Sequence, residues 1–203
     1  MEGVSQPILH EKQKLQLCLK HTLNNLLQGE HTFTQQELNN LADSLDDPLA
    51  KQSGPKASAW WPFHAHHNSF MGNYDVNVLM AALAAVGKEV TWLDKRKGVE
   101  GFNFETGELD KPAVIEESDS GRKDLVGFIL NVKRKWAGLI PGRHWIALRK
   151  IEGRWYNLDS DLRRPSEIDG GEEGLRLFLQ ECLSKQGSEL LIVSETRHDG
   201  IRS

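Results

Sequence analysis

The stretch Trp145-Ile-Ala-Leu-Arg-Lys-Ile151, continued by Glu152-Gly153 and by Arg154-Trp-Tyr-Asn-Leu158, predicts a β-hairpin. Both arms contain the branched and aromatic residues that strands favour, and Glu152-Gly153 has the length of a two-residue turn. A two-residue turn fixes which residues face each other across the two strands, so the positions of nearby polar side chains can be predicted from it.

This register brings His144 and Asp159 onto one face of the predicted sheet. It places Ile146 opposite Asp159, and because side chains alternate along a strand, His144 is a diagonal neighbour of Asp159. A histidine beside a carboxylate is the arrangement of a general base and its orienting group. Taken singly, His144 also suits an exposed strand end and Asp159 a turn, and these alternatives stay open.

Cys18 is the candidate nucleophile. It begins a predicted helix over about Cys18 to Leu27, stopped near Gly29, and a helix N-terminus favours the thiolate form of a cysteine. A lone cysteine is also often a small buried hydrophobic residue, so that interpretation remains. Cys182, in contrast, falls on the apolar face of a later predicted helix and is expected in the core.

Gln13 lies five residues before Cys18 in the sequence. Its side-chain amide could donate a hydrogen bond to an oxyanion, together with the backbone N–H of Cys18. A surface glutamine is the ordinary alternative. The order cysteine, histidine, aspartate along the chain is that of papain-like enzymes, as are a nucleophile on a helix and a base on a strand.

Capping signals predict the other early helices. Thr34-Gln-Gln-Glu37 is a capping box for a helix from about Gln35 to Leu45, which Pro48 is expected to end. Asp75 is the candidate N-cap of a helix from Val76 to Val86, with Gly87 following its C-terminus.

Later elements are strands around Glu89–Leu93, Leu125–Leu130 and Glu189–Val193, with a helix over about Glu172 to Ser184. Helices come first and strands follow, which predicts an α+β fold. We expect one domain over residues 8–195 and a polar tail over 196–203. Within it, residues 47–73 look irregular, and residues 98–121 are predicted as an acidic surface insertion.

Composition excludes several classes of protein. The 203 residues include 25 Lys+Arg and 29 Asp+Glu, and the formal net charge of −4 argues against a nucleic-acid binder. The longest apolar run is far shorter than the roughly 20 residues of a transmembrane helix, and the N-terminus shows no secretory signal. With two cysteines, the chain is expected in a reducing compartment, the cytoplasm or nucleus.

Four blocks of sequence resemble the Josephin family. They are His10–Gln28 (HEKQKLQLCLKHTLNNLLQ), Asn73–Leu83 (NYDVNVLMAAL), His144–Arg149 (HWIALR) and Trp155–Ser160 (WYNLDS). The likeness runs from about Ile8 to Val193 and is greatest to the short, stand-alone Josephin proteins. Those proteins also have Asp at the third catalytic position, which is Asp159 in this chain.

The resemblance implies a papain-like α+β fold and deubiquitinase activity without a metal or other cofactor. The catalytic cysteine is expected on an N-terminal helix that packs on an antiparallel sheet carrying the histidine and aspartate. By family likeness Cys18 is the nucleophile, His144 the general base and acid, Asp159 the orienting group and Gln13 the oxyanion donor. His21 is expected to support the site, and residues 47–73 are expected to form a flexible helical hairpin, or lid, over the cleft.

The implied partners are ubiquitin, ubiquitinated proteins and polyubiquitin chains, bound by a monomer. Trp145 is a candidate wall of the cleft, with a buried hairpin tryptophan as the alternative. Val76, Leu79 and Phe33 match family positions near ubiquitin, although the first two could equally face the core.

Three rival interpretations remain. The first is a catalytically weak ubiquitin-binding module. The second is a metal site on His64-Ala-His66-His67, which a solvated loop explains equally well. The third is another enzyme with the same three residue types, such as an acyltransferase or transglutaminase.

Overall fold

The computed structural model describes residues 7–13, 17–52, 67–68, 73–94, 96, 98–104, 108–109, 123–136 and 140–196. The helices and strands formed by these residues follow one another as α1 (Cys18–Leu27), α2 (Gln35–Gln52), β1 (His67–Asn68), β2 (Asn73–Tyr74), α3 (Val76–Ala85), β3 (Lys88–Trp92), β4 (Phe102–Asn103), β5 (Glu108–Leu109), β6 (Lys123–Trp136), β7 (Ile140–Ile151), β8 (Arg154–Asn157), β9 (Ser166–Glu167), α4 (Gly171–Ser184) and β10 (Glu189–Thr196).

The central element is a six-stranded antiparallel sheet with the strand order β3-β10-β6-β7-β8-β9. The strands β6 and β7 are the longest. β10 pairs with β6 only as far as Asn131, and β8 pairs with β7 only from Leu148 onward. The end of the β6–β7 hairpin therefore projects beyond the strands on either side.

The helices α1, α2 and α3 pack on one face of this sheet. Their apolar residues, such as Leu23 and Leu83, are fully buried against inward-facing strand residues. The strand residues on this face are Ile129, Trp145, Ala147, Leu191 and Val193, together with Leu158 just after β8. Burial of this apolar surface is the main force that fixes α1 on the sheet.

The helix α4 covers the opposite face, and residues 98–104 pack beside it. Val99, Phe102 and Phe104 are at most 3% exposed, and the two phenylalanine rings meet Phe128 of β6 edge-on at 5.5 and 5.8 Å. The prediction of a surface insertion is therefore wrong for residues 98–104. Three apolar residues in a segment rich in acidic residues do not reveal in a sequence that they are buried.

The hairpin register predicted from the sequence is confirmed. Ile151 pairs with Arg154 and Leu148 with Asn157. Glu152 and Gly153 have φ angles of 49° and 80°, the positive values that a tight two-residue turn between twisted strands requires.

The predicted helix starts are confirmed, but one predicted end is wrong. Glu37 N–H donates to the Thr34 hydroxyl, and Asp75 Oδ1 accepts from the N–H groups of Asn77 and Val78. The helix α2 does not stop at Pro48 but continues to Gln52. A proline inside a helix removes one backbone hydrogen bond, and α2 continues despite that loss.

The region 47–73, predicted as a flexible helical hairpin or lid, is described only in part. Residues 47–52 are helical, and His67 pairs with Tyr74 in a two-stranded sheet of β1 and β2. Residues 53–66, with Trp60, Trp61 and Phe63, lie outside the described residues, as do 110–122 and the tail from 197. In the described part of the chain, no helix has the length and hydropathy needed to cross a membrane.

Gly127 allows α1 to lie close to the sheet. A Cβ atom at this position would collide with the carbonyl oxygen of Leu148 and lie 2.9 Å from Cδ1 of Leu26. The strand pair and the helix can approach this closely because the residue has no side chain. The fold thereby holds the helix that begins with Cys18 tightly against β6 and β7. The α+β prediction is confirmed.

Candidate active site

Cys18 is the first residue of α1 and is 5% exposed. Leu17, the residue before it, supplies no side-chain cap to the first turn of the helix. The position of the helix on the sheet is fixed by a hydrogen bond from the Thr22 hydroxyl to the carbonyl oxygen of Trp145, at 2.9 Å. The start of α1 is thus held beside the strand that carries His144.

His144 lies on β7, opposite Val132 of β6, and is 4% exposed. Its Nε2 is 2.6 Å from Oδ1 of Asp159, and its ring also forms a hydrogen bond with the Cys18 side chain. Burial of the ring opposes protonation. The hydrogen bonds to Asp159 and Cys18 outweigh it and raise the pKa of His144 to about 9.

Asp159 is held by its own backbone neighbours. Its N–H donates to Oδ1 of Asn157, and its Oδ1 accepts from the N–H of Asp161 at 2.9 Å. Burial disfavours its charged form, but the hydrogen bond with His144 and that from Asp161 outweigh burial, so the pKa of Asp159 lies below its usual range. The carboxylate is therefore fixed as the charged partner of the imidazole.

The structure brings Cys18, His144 and Asp159 into one hydrogen-bonded chain, as the sequence predicted. The imidazole lies between the thiol and the carboxylate, so it can accept the thiol proton, and the carboxylate stabilises the imidazolium that results. This arrangement is that of an activated thiol nucleophile.

Gln13 is tied to the residue that follows Asp159. Its backbone N–H donates to the carbonyl oxygen of Ser160 at 2.8 Å, and the Ser160 hydroxyl donates to Oε1 of Gln13 at 3.3 Å. The carbonyl oxygen of the side-chain amide thus accepts a hydrogen bond from Ser160, which orients the amide. The role of Gln13 as an oxyanion donor stays a prediction.

The segment 7–13 before Gln13 is held along α1 by side-chain amides of the helix. Gln28 exchanges two hydrogen bonds with the backbone of Leu9, and Asn25 accepts from the N–H of Glu11 at 2.6 Å. The amide of Asn25 also donates to the carbonyl oxygen of Leu158 at 2.9 Å. One fully buried asparagine thus links the segment, the nucleophile's helix and the loop that carries Asp159.

His21 supports this segment. Its Nδ1 lies 2.6 Å from Oε2 of Glu11, which also accepts from Lys20, while Oε1 accepts from Asn24. Burial disfavours the Glu11 carboxylate, but the bonds from Lys20, His21 and Asn24 outweigh it and lower the pKa of Glu11. His21 thus helps to hold the segment 7–13 against α1.

Three of the predicted cleft and ubiquitin contacts are core residues. Trp145 is 3% exposed, Phe33 3% and Leu79 fully buried, all in the core beneath α1 to α3. Burial contradicts a contact surface at Phe33. At Trp145 and Leu79 it is the alternative that the sequence left open, because apolar residues next to a cleft look alike in sequence whether they face it or the core. Val76 is partly buried and keeps some exposed surface.

Arg134 and Asp161 are site residues that sequence analysis missed. Nη1 of Arg134 lies 3.4 Å from Nδ1 of His144 and 2.7 Å from Oδ2 of Asp161. On β6, Arg134 is two residues from the partner of His144, so both side chains point to the same face. The register of β6 against β7 would have revealed it, but the length of their connection is not readable from the sequence.

His144, Asp159 and Asp161 are also the described residues close enough to share a metal ion, with ligand atoms within 4.8 Å of one another. Each already has a protein partner: His144 and Asp159 bind each other, and Asp161 binds Arg134. His64 and His66 of the rival metal site lie outside the described residues, and the side chain of His67 is not described.

Comparisons with known proteins agree with this geometry. The family model described as Josephin matches residues 13–194. A Josephin-like protein of Arabidopsis thaliana is 40% identical over 91% of the chain and 47% of its own length. Josephin-2 of Homo sapiens is 36% identical over 92% and 85%, and Ataxin-3 of Homo sapiens is 28% identical over 93% and 45%. The chain therefore spans about half of the first and third of these relatives.

Proposed function

The chain belongs to the Josephin family, and from this membership and the site we propose that it is a cysteine-type deubiquitinase. It hydrolyses the bond that follows the C-terminal glycine of ubiquitin. The observation that supports this proposal most strongly is the position of His144, hydrogen-bonded to Cys18 on one side and to Asp159, at 2.6 Å, on the other.

The first chemical step forms a thioester. His144 holds the proton of the Cys18 thiol as an imidazolium, and the Cys18 thiolate attacks the carbonyl carbon of the ubiquitin C-terminal glycine. His144 then gives its proton to the leaving lysine nitrogen, the carbon–nitrogen bond breaks, and the lysine amine departs. Asp159 stabilises the imidazolium between these two proton transfers.

The second step hydrolyses the thioester. His144, neutral again after protonating the amine, takes a proton from water, and the resulting hydroxide attacks the thioester carbon. The carbon–sulfur bond breaks, and the sulfur leaves as the thiolate beside the His144 imidazolium, which restores the starting pair. The new carboxyl group of the ubiquitin glycine gives its proton to water and leaves as a carboxylate. Water is the only co-reactant in this cycle.

The negative charge on the reacting oxygen needs donors in both steps. We assign this role to the side-chain NH₂ of Gln13 and the backbone N–H of Cys18. The bond from the Ser160 hydroxyl to the Gln13 carbonyl oxygen supports the assignment, because it orients the amide. The hydrogen bonds that Glu11 forms with side chains of α1, among them Asn25, limit the movement of the segment that leads to Gln13.

Ubiquitin contacts are assigned to the exposed side of α3. Val76 at its start is partly exposed, and Asn77 and Met80 on the following turn are exposed. An apolar side chain such as Met80, 36% exposed, suits the apolar patch of ubiquitin.

The proposal is tested with ubiquitin whose C-terminal glycine carries a fluorogenic amide. We expect the wild-type chain to release the fluorophore and Cys18→Ala to be at least about a thousand-fold slower in kcat/KM. Cys182→Ala, which alters the half-buried cysteine of α4, is the matched control and is expected to match the wild type.

Equal rates for Cys18→Ala and the wild type would refute the proposal. Ubiquitin that binds the wild-type chain without release of fluorophore would instead identify a ubiquitin-binding module.

A further inference from the structure

The projecting end of the β6–β7 hairpin has a concentration of positive charge. Lys133, Arg134, Lys135 and Arg143 line one cavity there, of about 500 Å³, together with Gly142. The chain as a whole has a formal net charge of −4, so this cluster stands out against the average surface. Arg134 connects this end of the hairpin to the catalytic site, because its Nη1 lies 3.4 Å from Nδ1 of His144. Lys133 and Lys135 alternate with Arg134 along β6 and extend from the other face of the same strand.

Part of this charge is balanced by nearby acids. Arg134 pairs with Asp161 at 2.7 Å, and Arg143 pairs with Glu189 and donates to Asn131. Lys133 and Lys135 are exposed, and among the described residues no carboxylate forms an ion pair with either of them. The surface therefore keeps two uncompensated positive charges, and Arg163 and Arg164 are exposed shortly after Asp161.

The location of the surface indicates which part of a substrate meets it. In the proposed reaction His144 protonates the leaving lysine, so the acceptor lysine lies next to His144, whose Nδ1 is 3.4 Å from Nη1 of Arg134. The ubiquitin tail is basic and would be repelled by this hairpin. An extended peptide advances about 3.3 Å per residue, so side chains two to four residues from the acceptor lysine can reach the cavity.

We propose that the β6–β7 hairpin selects ubiquitin conjugates by the charge of the acceptor: an acidic peptide segment flanking the modified lysine binds to Lys133, Arg134, Lys135 and Arg143. This inference rests on the proposed deubiquitinase function and assigns its preferred substrate class. Exposed charge pairs of this kind act over about 8 to 10 Å at moderate ionic strength and weaken as salt is added.

The test uses two ubiquitin conjugates that differ only in the acceptor peptide. In both, the ubiquitin glycine is joined by an isopeptide bond to a lysine, which is flanked by Asp and Glu in one peptide and by Asn and Gln in the other. We expect the acidic conjugate to have a KM about five-fold lower, the scale of two or three exposed ion pairs. The difference is expected to shrink in 0.5 M NaCl, an ionic strength at which the screening length is roughly halved.

The charge-reversal variant Lys133→Glu/Lys135→Glu is expected to abolish or invert the ratio of the two KM values. The ratio is internal to each variant, so a general loss of activity does not affect it. The matched control is Lys150→Glu/Arg154→Glu, which makes the same charge change at the opposite end of β7, beside the Glu152–Gly153 turn. The control is expected to keep the wild-type ratio.

Equal KM values for the two conjugates in the wild type, or an unchanged ratio in Lys133→Glu/Lys135→Glu, would overturn the inference. The fluorogenic ubiquitin amide, which has no acceptor peptide, separates the two proposals. A wild-type chain that cleaves it but treats both conjugates alike refutes only the acceptor preference, whereas one that cleaves none of the three substrates refutes the deubiquitinase proposal and this inference with it.

Discussion

His144 is the residue on which the chemistry depends, because its two ring nitrogens face different partners. Nε2 lies 2.6 Å from Oδ1 of Asp159, and Nδ1 lies 3.4 Å from Nη1 of Arg134. The hydrogen bonds with Asp159 and Cys18 raise the pKa of His144. A raised pKa of about 9 keeps the imidazolium populated at neutral pH despite its burial. This is the protonation state that a thiolate–imidazolium pair requires.

Replacing Asp159 with Asn should move the basic limb of the pH–rate profile. In the wild type we expect kcat/KM to fall as pH rises through about 9, where His144 loses its proton. Asp159→Asn removes the main group that raises this pKa, so the limb should move toward the ordinary histidine value near 6.5. The measurement is kcat/KM for a fluorogenic ubiquitin substrate between pH 5 and pH 10.

The matched control is Asp161→Asn, since that carboxylate lies 3.8 Å from the same nitrogen. It should shift the limb much less. Equal shifts in the two variants would contradict the assignment of Asp159 as the orienting group.

The hydrogen-bonded chain of Cys18, His144 and Asp159 was predictable from the sequence. The hairpin register predicts that His144 and Asp159 are neighbours, and the helix signal predicts that Cys18 lies at a helix N-terminus. Burial was not predictable in the same way. Leu79 and Phe33 are core residues. The same apolar residue types occur in a core and at a contact surface, so the sequence does not distinguish the two. Arg134 was missed because its position depends on a long strand pairing whose connection has no sequence signature.

At the scale of elements, the N-terminal segment and α1 act as one unit. Buried polar side chains in the middle of a helix are costly unless each is satisfied, and here they bind the segment that leads to Gln13. Asn25 is fully buried and forms hydrogen bonds with the backbone of Glu11 and of Leu158.

Asn25→Ala should lower the free energy of unfolding by about 2 to 3 kcal/mol, because the buried backbone groups of Glu11 and Leu158 lose their partner. Activity should fall as well, since the Gln13 segment is released. Asn40→Ala, at an exposed position of α2, is the control and should stay within about 0.5 kcal/mol of the wild type. Urea denaturation checks both values. Equal stability of the two variants would show that the hydrogen bonds of Asn25 do not stabilise the fold.

Element boundaries were predicted well where capping residues mark them and poorly where tertiary packing decides. Thr34 and Asp75 cap their helices as expected, whereas α2 passes through Pro48 to Gln52. The strand β6 is longer than its apolar run suggests, because Lys133 and Lys135 pair with β7 in the projecting hairpin.

For the whole molecule, the sheet is covered on both faces, and residues 98–104 are the part of this cover that the sequence did not predict. The helical spacing of apolar residues predicts the core beneath α1 to α3. Residues 98–104 complete the core on the opposite face. The acidic residues near them in the sequence led to their prediction as a surface segment.

Phe104→Ala should therefore destabilise the fold by about 3 to 5 kcal/mol, the usual cost of removing a buried aromatic ring. Phe104 is 2% exposed and its ring meets both Phe128 and Trp155. Leu177→Ala on the outer face of α4 is the control, since Leu177 is 59% exposed. Thermal unfolding with equal midpoints for the two variants would refute the burial of residues 98–104.

The central claim is that Cys18 is a ubiquitin-directed nucleophile activated by His144. Its most direct test is intact-mass analysis after incubation with ubiquitin that carries a thiol-reactive group at its C-terminus. One ubiquitin adduct is expected on the wild type and on Cys182→Ala, none on Cys18→Ala, and slower labelling on His144→Ala. An adduct that persists in Cys18→Ala, or a wild type that binds this ubiquitin without forming any adduct, would contradict the claim.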